Sequence, residues 1–237
     1  MNKIRSILLP KPGDLIQFLV TTNIILFITA LFVAPGAINY ALNLSYFLSP
    51  ATDVLRTLGA SGTLPVFAED RWWTLITANY LHGSLLHLIF NVSSLRAVGD
   101  ITMPIYGSAR LFLIYSVGGI AAMGMSSLVG IPLTLGASGA ICALIGAMSY
   151  DDWRTSKGNL KKRIASVGIW IVLIIVIGVA LPNVNNWAHG IGFGTGFIMG
   201  MFLWPQTTQN ETTVFRFAAI ACMLLTISTL IYGLLFS

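Results

Sequence analysis

The chain has 237 residues, of which 56% are apolar and only 9% charged, against roughly 25% charge in soluble globular proteins. Its 13 basic and 8 acidic residues could not cover a water-soluble fold of this size, which argues against soluble enzymes and disordered chains. The net charge of +5 is spread over loops between apolar runs and forms no polyanion-binding patch, so nucleic acid is not an expected partner. What remains is an all-α polytopic membrane protein whose solvent is the lipid bilayer.

A helix crossing the hydrocarbon core needs roughly 20 apolar residues. Residues 1–14 are short and basic, and the apolar run after them is too long for a signal-peptide core, which predicts an uncleaved first span over 15–34. The segment 35–81 is too long for a structureless loop. It carries Tyr40, Tyr46, Phe47, Phe67, Trp72 and Trp73 with few charges, and such aromatics favour the membrane interface. Short helices on or partly in the outer leaflet are expected there. Six more spans are predicted over 83–102, 110–129, 136–150, 164–181, 188–204 and 213–236, the fourth and sixth of the seven being short and rich in small residues. Cys142 and Cys222 both fall inside apolar runs and offer neither a disulfide framework nor a CxxC pair.

Orientation follows from Lys and Arg. Lys3, Arg5, Lys11, Arg96, Arg110, Arg154, Lys157, Lys161, Lys162, Arg163 and Arg216 fall on one side of seven threaded spans, and only Arg56 and Arg71 on the other. The N-terminus is therefore expected in the cytoplasm, with Arg96 and Arg110 flanking a cytoplasmic turn.

Polar groups at membrane depth are expensive and point to function. The three histidines, His82, His87 and His189, sit at or just inside the outer ends of their spans, near Asn91 and Ser138. His87 and Asn91 are four apart and share a helix face. His82 and His87 are five apart, roughly 140° around a helix, which suits a shared metal poorly. A catalytic zinc wants a third ligand and an open position, and Asp100, Asp151 and Asp152 belong to the opposite side. Neither a metal nor another cofactor is expected.

Ser138 stands in Gly136-Ala-Ser-Gly139, and an identical tetrapeptide, Gly59-Ala-Ser61-Gly62, lies in the long loop. Small residues in a span usually mean close helix packing, so context must separate the two. Ser61 precedes Thr63-Leu64-Pro65 and reads as a turn residue. Ser138 opens a span that continues through Ala140, Cys142, Ala143, Gly146 and Ala147. His189 opens the sixth span, where Gly192, Gly196 and Gly200 make one bare face along which that small-residue span can pack. Packed so, Ser138 and His189 would meet, and a neutral histidine suits the task of taking a proton from a serine hydroxyl. No acid is placed to orient His189, so a dyad is expected rather than a triad. Asn91, His87 and the Ser138 N–H would supply donors to an oxyanion, which leaves His82 as a structural tie to the top of span two.

These residues resemble the rhomboid intramembrane serine proteases. The matching pieces are His82-Gly-Ser-Leu-Leu-His87-Leu-Ile-Phe-Asn91, Gly136-Ala-Ser138-Gly-Ala, and Ala188-His189 with Gly192 and Gly196. The resemblance implies a six-helix core over 1–204, including the loop 35–81, with 205–237 adding a connecting loop and an extra C-terminal transmembrane helix. It implies cleavage of transmembrane segments of other membrane proteins, with Ser138 as nucleophile, His189 as base, and His87, Asn91 and the Ser138 N–H as the oxyanion hole. Small residues at the scissile bond and an unstable helix nearby would be favoured, because a helical peptide bond is shielded. The host expected from the short basic N-terminus is a bacterial plasma membrane, with the site toward the outer face.

Three positions depart from the family pattern. Trp73 is followed by Thr74 where an arginine is common, Cys142 stands four after the serine in place of an aromatic residue, and Met103 aligns with a common glutamate. They bear on loop anchoring and on how firmly His189 is held. Two rivals fit less well. A catalytically inactive rhomboid-like protein that binds transmembrane segments would usually lack the serine or histidine, and a transporter would tend to show internal repeats with a midplane site.

Overall fold

The computed structural model describes residues 12–33, 38, 46–156, 168–172, 176, 184–203 and 213–235. Seven α-helices carry the described fold: α1 (Pro12–Val33), α2 (Thr52–Thr57), α3 (Thr74–Thr77), α4 (Leu85–Leu128), α5 (Ser138–Thr155), α6 (Asn186–Leu203) and α7 (Thr213–Leu235). Three of them, over Asp14–Val33, Leu85–Leu128 and Thr213–Leu235, are long and apolar enough to cross a membrane. The protein is an all-α polytopic membrane protein.

Helix α4 accounts for two predicted spans. Its 44 residues are broken at Gly107, where φ 77° and ψ 172° leave the helical region; only glycine adopts such a pair readily. The first half therefore runs to Tyr106, beyond the predicted end at 102, and keeps Pro104 in its last turn. Helix α5 also outruns its prediction, continuing five residues past 150 through Asp151, Asp152 and Arg154. Arg110, three residues past this break, is buried at 7% exposure. Its guanidinium lies 4.8 Å from the ring centroid of Phe215 on α7, an arrangement that shelters the cation against an aromatic face. The predicted span 164–181, the basic residues at Lys3, Arg5, Lys11, Lys157, Lys161, Lys162 and Arg163, and the division at 204/205 lie wholly or largely outside the described residues.

Polarity is distributed as lipid demands. Large apolar side chains such as Phe202, Val214, Phe217 and Leu235 are exposed, while Asn23, Thr102, Ser126 and Ser127 are buried. Each of these buried groups donates to the carbonyl one turn back, at Leu19, Val98, Ala122 and Met123 respectively. Without water, an unsatisfied donor costs several kcal/mol, on the order of the full desolvation penalty, and the nearest acceptor is the helix itself.

Helix α5 is the centre of the bundle, held between the second half of α4 and α6. The contacts are backbone to backbone. A methyl at Gly192 would strike the Gly139 carbonyl, one at Gly196 the Ala143 carbonyl, and one at Gly146 the Phe193 carbonyl. On α4, Gly118 leaves room for Ala143, and Gly119 for the Asn79 carboxamide and Ala140. The four-residue glycine spacing on α6 thus does what it predicts and admits α5 without side chains between the axes.

The stretch 46–84 covers the end of the bundle where α5 begins. It contains α2, a π-helical turn over Leu64–Ala68, α3 and a 3₁₀ turn over Ala78–Tyr80. Phe67, Trp72 and Leu64 are exposed, Phe67 and Trp72 edge to face at 5.4 Å. Trp73 turns inward between two neighbours, Arg71 at 4.8 Å and Tyr232 of α7 at 5.4 Å. With Thr74 following the tryptophan, Arg71 two residues before it makes the stack, and its guanidinium donates to the carbonyls of Arg56 and Thr57 at 2.9 Å each.

Candidate active site

Ser138 is the first residue of α5. The chain reaches it through Gly136, whose φ of +120° belongs to glycine and whose N–H donates to the Ala78 carbonyl at 2.8 Å. As the opening residue of a helix, Ser138 has a backbone N–H with no acceptor in the turn behind it, at the positive end of the helix dipole. His189 lies in the first turn of α6 and is 9% exposed. Close packing of α5 and α6 brings its Nε2 to 2.9 Å from Ser138 Oγ. Its Nδ1 has no hydrogen-bond partner among the described residues.

His87 and Asn91 come from the first two turns of α4. Ser84 caps this helix, its hydroxyl accepting from the His87 N–H at 3.3 Å. The His87 ring lies beside Gly136, and a Cβ at 136 would come within 2.7 Å of both Cε1 and Nε2. Nδ1 of His87 accepts from the Gly83 N–H at 3.5 Å, which leaves the ring proton on Nε2, the atom nearer Gly136. Asn91 is 5% exposed, and its Nδ2 donates to the His87 carbonyl at 2.9 Å. One amide hydrogen remains, since the group carries two.

His82 is fully buried and packs its ring edge-on against His87 at 5.0 Å. It lies in the chain that leads into α4. Cys142 is buried one turn after Ser138.

Ser61 is not a simple turn residue. It is fully buried and exchanges both backbone hydrogen bonds with Thr134, at 2.9 and 2.6 Å. Thr74 also fills a role that the sequence left open: its Oγ1 donates to the Arg71 carbonyl at 2.7 Å and lies 3.3 Å from Ser61 Oγ. Asn185 was missed altogether. It precedes α6 directly and accepts from the Ala188 N–H at 3.1 Å; asparagine just ahead of an apolar helix is a readable start signal.

The fold and this arrangement define a polytopic helical membrane protein with a serine and a histidine in hydrogen-bonding contact at one end of its bundle. The Rhomboid domain family profile matches residues 69–206, more than half of the chain, and the chain belongs to the rhomboid family. It is 31% identical over 158 residues to RHOMBOID-like protein 4 of Arabidopsis thaliana, covering 66% of this chain and 40% of that protein. It is 34% identical over 171 residues to RHOMBOID-like protein 6, mitochondrial, of the same plant, covering 70% and 55%. To Rhomboid protease GluP of Bacillus subtilis (strain 168) it is 34% identical over 194 residues, covering 78% and 36%. The aligned region thus spans about half or less of these relatives' length.

Proposed function

We propose that this protein is an intramembrane serine endopeptidase that cleaves transmembrane segments of other membrane proteins with a Ser138–His189 dyad. The observation that carries this reading is the 2.9 Å approach of His189 Nε2 to Ser138 Oγ in a chain of the rhomboid family. At that distance the imidazole takes the hydroxyl proton as Oγ attacks the scissile carbonyl carbon, and later returns it to the leaving amine. The carbonyl oxygen becomes an oxyanion, for which the His87 Nε2–H, the remaining Asn91 amide hydrogen and the Ser138 N–H are the donors. A donor of this kind is worth about 3–4 kcal/mol of barrier. Water then attacks the acyl-enzyme with His189 again as base. The dyad belongs to a core over residues 1–204, with 205–237 as an added helix and its connection, and the reaction calls for no metal or cofactor.

The bias of basic residues supports a cytoplasmic N-terminus and a site near the outer face of a bacterial plasma membrane. There, water reaches a site that the bilayer centre would keep dry. Substrate helices with small residues at the scissile bond and poor helix formers beside it are the expected class, because the peptide must leave its helical hydrogen bonds before Oγ can reach the carbonyl.

The test is cleavage of a panel of helix-destabilised transmembrane substrates by the purified protein in detergent. Ser138→Ala and His189→Ala are expected to lower the rate by roughly three orders of magnitude or more, while Ser61→Ala keeps it. Substrate binding without cleavage by the wild type would turn the reading to a catalytically inactive binder, and cleavage surviving Ser138→Ala would end the dyad.

A further inference from the structure

We infer that Asn185 is a positioning residue for His189, fixing the start of α6 and so doing for this dyad what an orienting acid does for a triad. The inference rests on the dyad proposed above. His189 has one polar anchor for its ring, Nε2 against Ser138 Oγ, and Nδ1 finds none among the described residues. The position of the imidazole is therefore inherited from the backbone of α6.

The carboxamide of Asn185 holds that backbone from three directions. Nδ2 donates to Ser126 Oγ at 2.7 Å and to Thr134 Oγ1 at 3.0 Å, and Oδ1 accepts from the Ala188 N–H at 3.1 Å. Its main-chain carbonyl accepts from the N–H of His189 itself at 3.3 Å. The groups that receive it are buried and bonded in turn. Ser126 is fully buried at the end of α4 and is itself bound to the Ala122 carbonyl. Thr134 is paired through its backbone to buried Ser61. One side chain thus joins α4, the strand-like pair 61/134 and α6 within one turn of the base.

A cap alone needs only Oδ1. The two donated bonds reach other elements and set where α6 sits against α4, hence where the imidazole sits against Ser138. A shift of about 1 Å in a reacting group costs on the order of 100-fold in rate.

The test uses the full chain with Asn185→Ser, which keeps an acceptor for the Ala188 N–H and loses both amide donors. Ser126→Ala, the double variant and Ser138→Ala accompany it. The expected result is a kcat lowered roughly 10- to 100-fold in Asn185→Ser, with KM within about twofold of wild type because substrate contacts are untouched. Ser126→Ala should lower kcat less, and the double variant should be no slower than Asn185→Ser alone, since Asn185→Ser already removes the tie to Ser126. A wild-type kcat in Asn185→Ser, or a loss shared by kcat, KM and melting temperature alike, would overturn the inference. If Asn185→Ser does not fold, Ser126→Ala with an unchanged kcat would overturn it in the same way. A wild-type kcat in Asn185→Ser beside an inactive Ser138→Ala removes this inference only, whereas an active Ser138→Ala removes the dyad and this inference with it.

Discussion

Gly136 stands so close to His87 that a Cβ at position 136 would lie 2.7 Å from both Nε2 and Cε1 of the imidazole. The same residue has a φ of +120°, so a side chain there meets backbone strain as well as a ring. Strain of this kind costs on the order of 1–3 kcal/mol. The ring that would have to yield is the proposed oxyanion donor. Gly136→Ala is therefore expected to lower cleavage on the order of 100-fold, more than its melting temperature alone would explain. Cleavage and thermal denaturation of the same preparation separate the two effects.

The contact between α5 and α6 predicts a pattern along a single helix. Gly192 and Gly196 face backbone carbonyls of α5, where a methyl has no room, whereas Gly190 and Gly194 have nothing within 4 Å of an added Cβ. Gly192→Ala and Gly196→Ala force the helices apart and are expected to destabilise by about 1–3 kcal/mol, the usual range for overpacking. Gly190→Ala and Gly194→Ala should be neutral or slightly stabilising, because alanine is the better helix former by about 1 kcal/mol. Melting temperatures of the four variants in one detergent give the comparison, and equal losses at all four would show that helix packing is not the cause.

That packing was legible because it is written in local spacing: glycines four apart in an apolar run, small residues in another, and few polar groups to place. Most of the spans were legible for the same reason. The last turns of α5 were not, because Asp151, Asp152 and Arg154 look like a loop when length and hydropathy are the guide, yet the helix persists through them. Burial of Arg110 was hidden because its shelter, Phe215, comes from a helix a hundred residues on. The pairing of Ser61 and the role of Asn185 were hidden for a related reason. Their partners, Thr134 and Ser126, are distant in sequence, and hydrogen bonds to such residues leave no periodic trace.

Arg71 offers a test of how the 46–84 stretch is anchored. Its guanidinium stacks on Trp73 and donates to two carbonyls at the end of α2, while Glu69 pairs with Arg56 and lies 3.5 Å from Arg71. A lysine cannot stack and fork at once, so Arg71→Lys is expected to destabilise nearly as much as Arg71→Gln and to shift Trp73 fluorescence. The Arg56 hydrogen bond, opposed by partial burial and aided by the charges of Arg56 and Arg71, holds the Glu69 carboxyl below its ordinary 4.5. A carboxyl lowered by folding stabilises the fold above its unfolded pKa and loses that contribution as pH falls through the folded one. A wild-type melting temperature that drops below about pH 4.5 more steeply than that of Glu69→Gln would bear this out.

Helix α7 reaches the same anchor. Tyr232 meets Trp73 edge to face at 5.4 Å, and a Cβ on Gly233 would come within 2.8 Å of the Trp73 ring and 3.2 Å of the Leu58 carbonyl. At its other end α7 supplies Phe215 to Arg110. Trp73 precedes α3, and the 3₁₀ turn that follows α3 gives the Ala78 carbonyl to Gly136, so a displaced Trp73 is felt next to Ser138. Tyr232→Ala removes a ring pair worth about 0.5–1.5 kcal/mol, and Gly233→Val should do more, because it pushes α7 away from Trp73. Both are expected to lower melting temperature and to slow cleavage severalfold, while Leu235→Ala, at a residue 68% exposed, changes neither. Full activity in Gly233→Val despite a lowered melting temperature would show that α7 braces the fold without reaching the site.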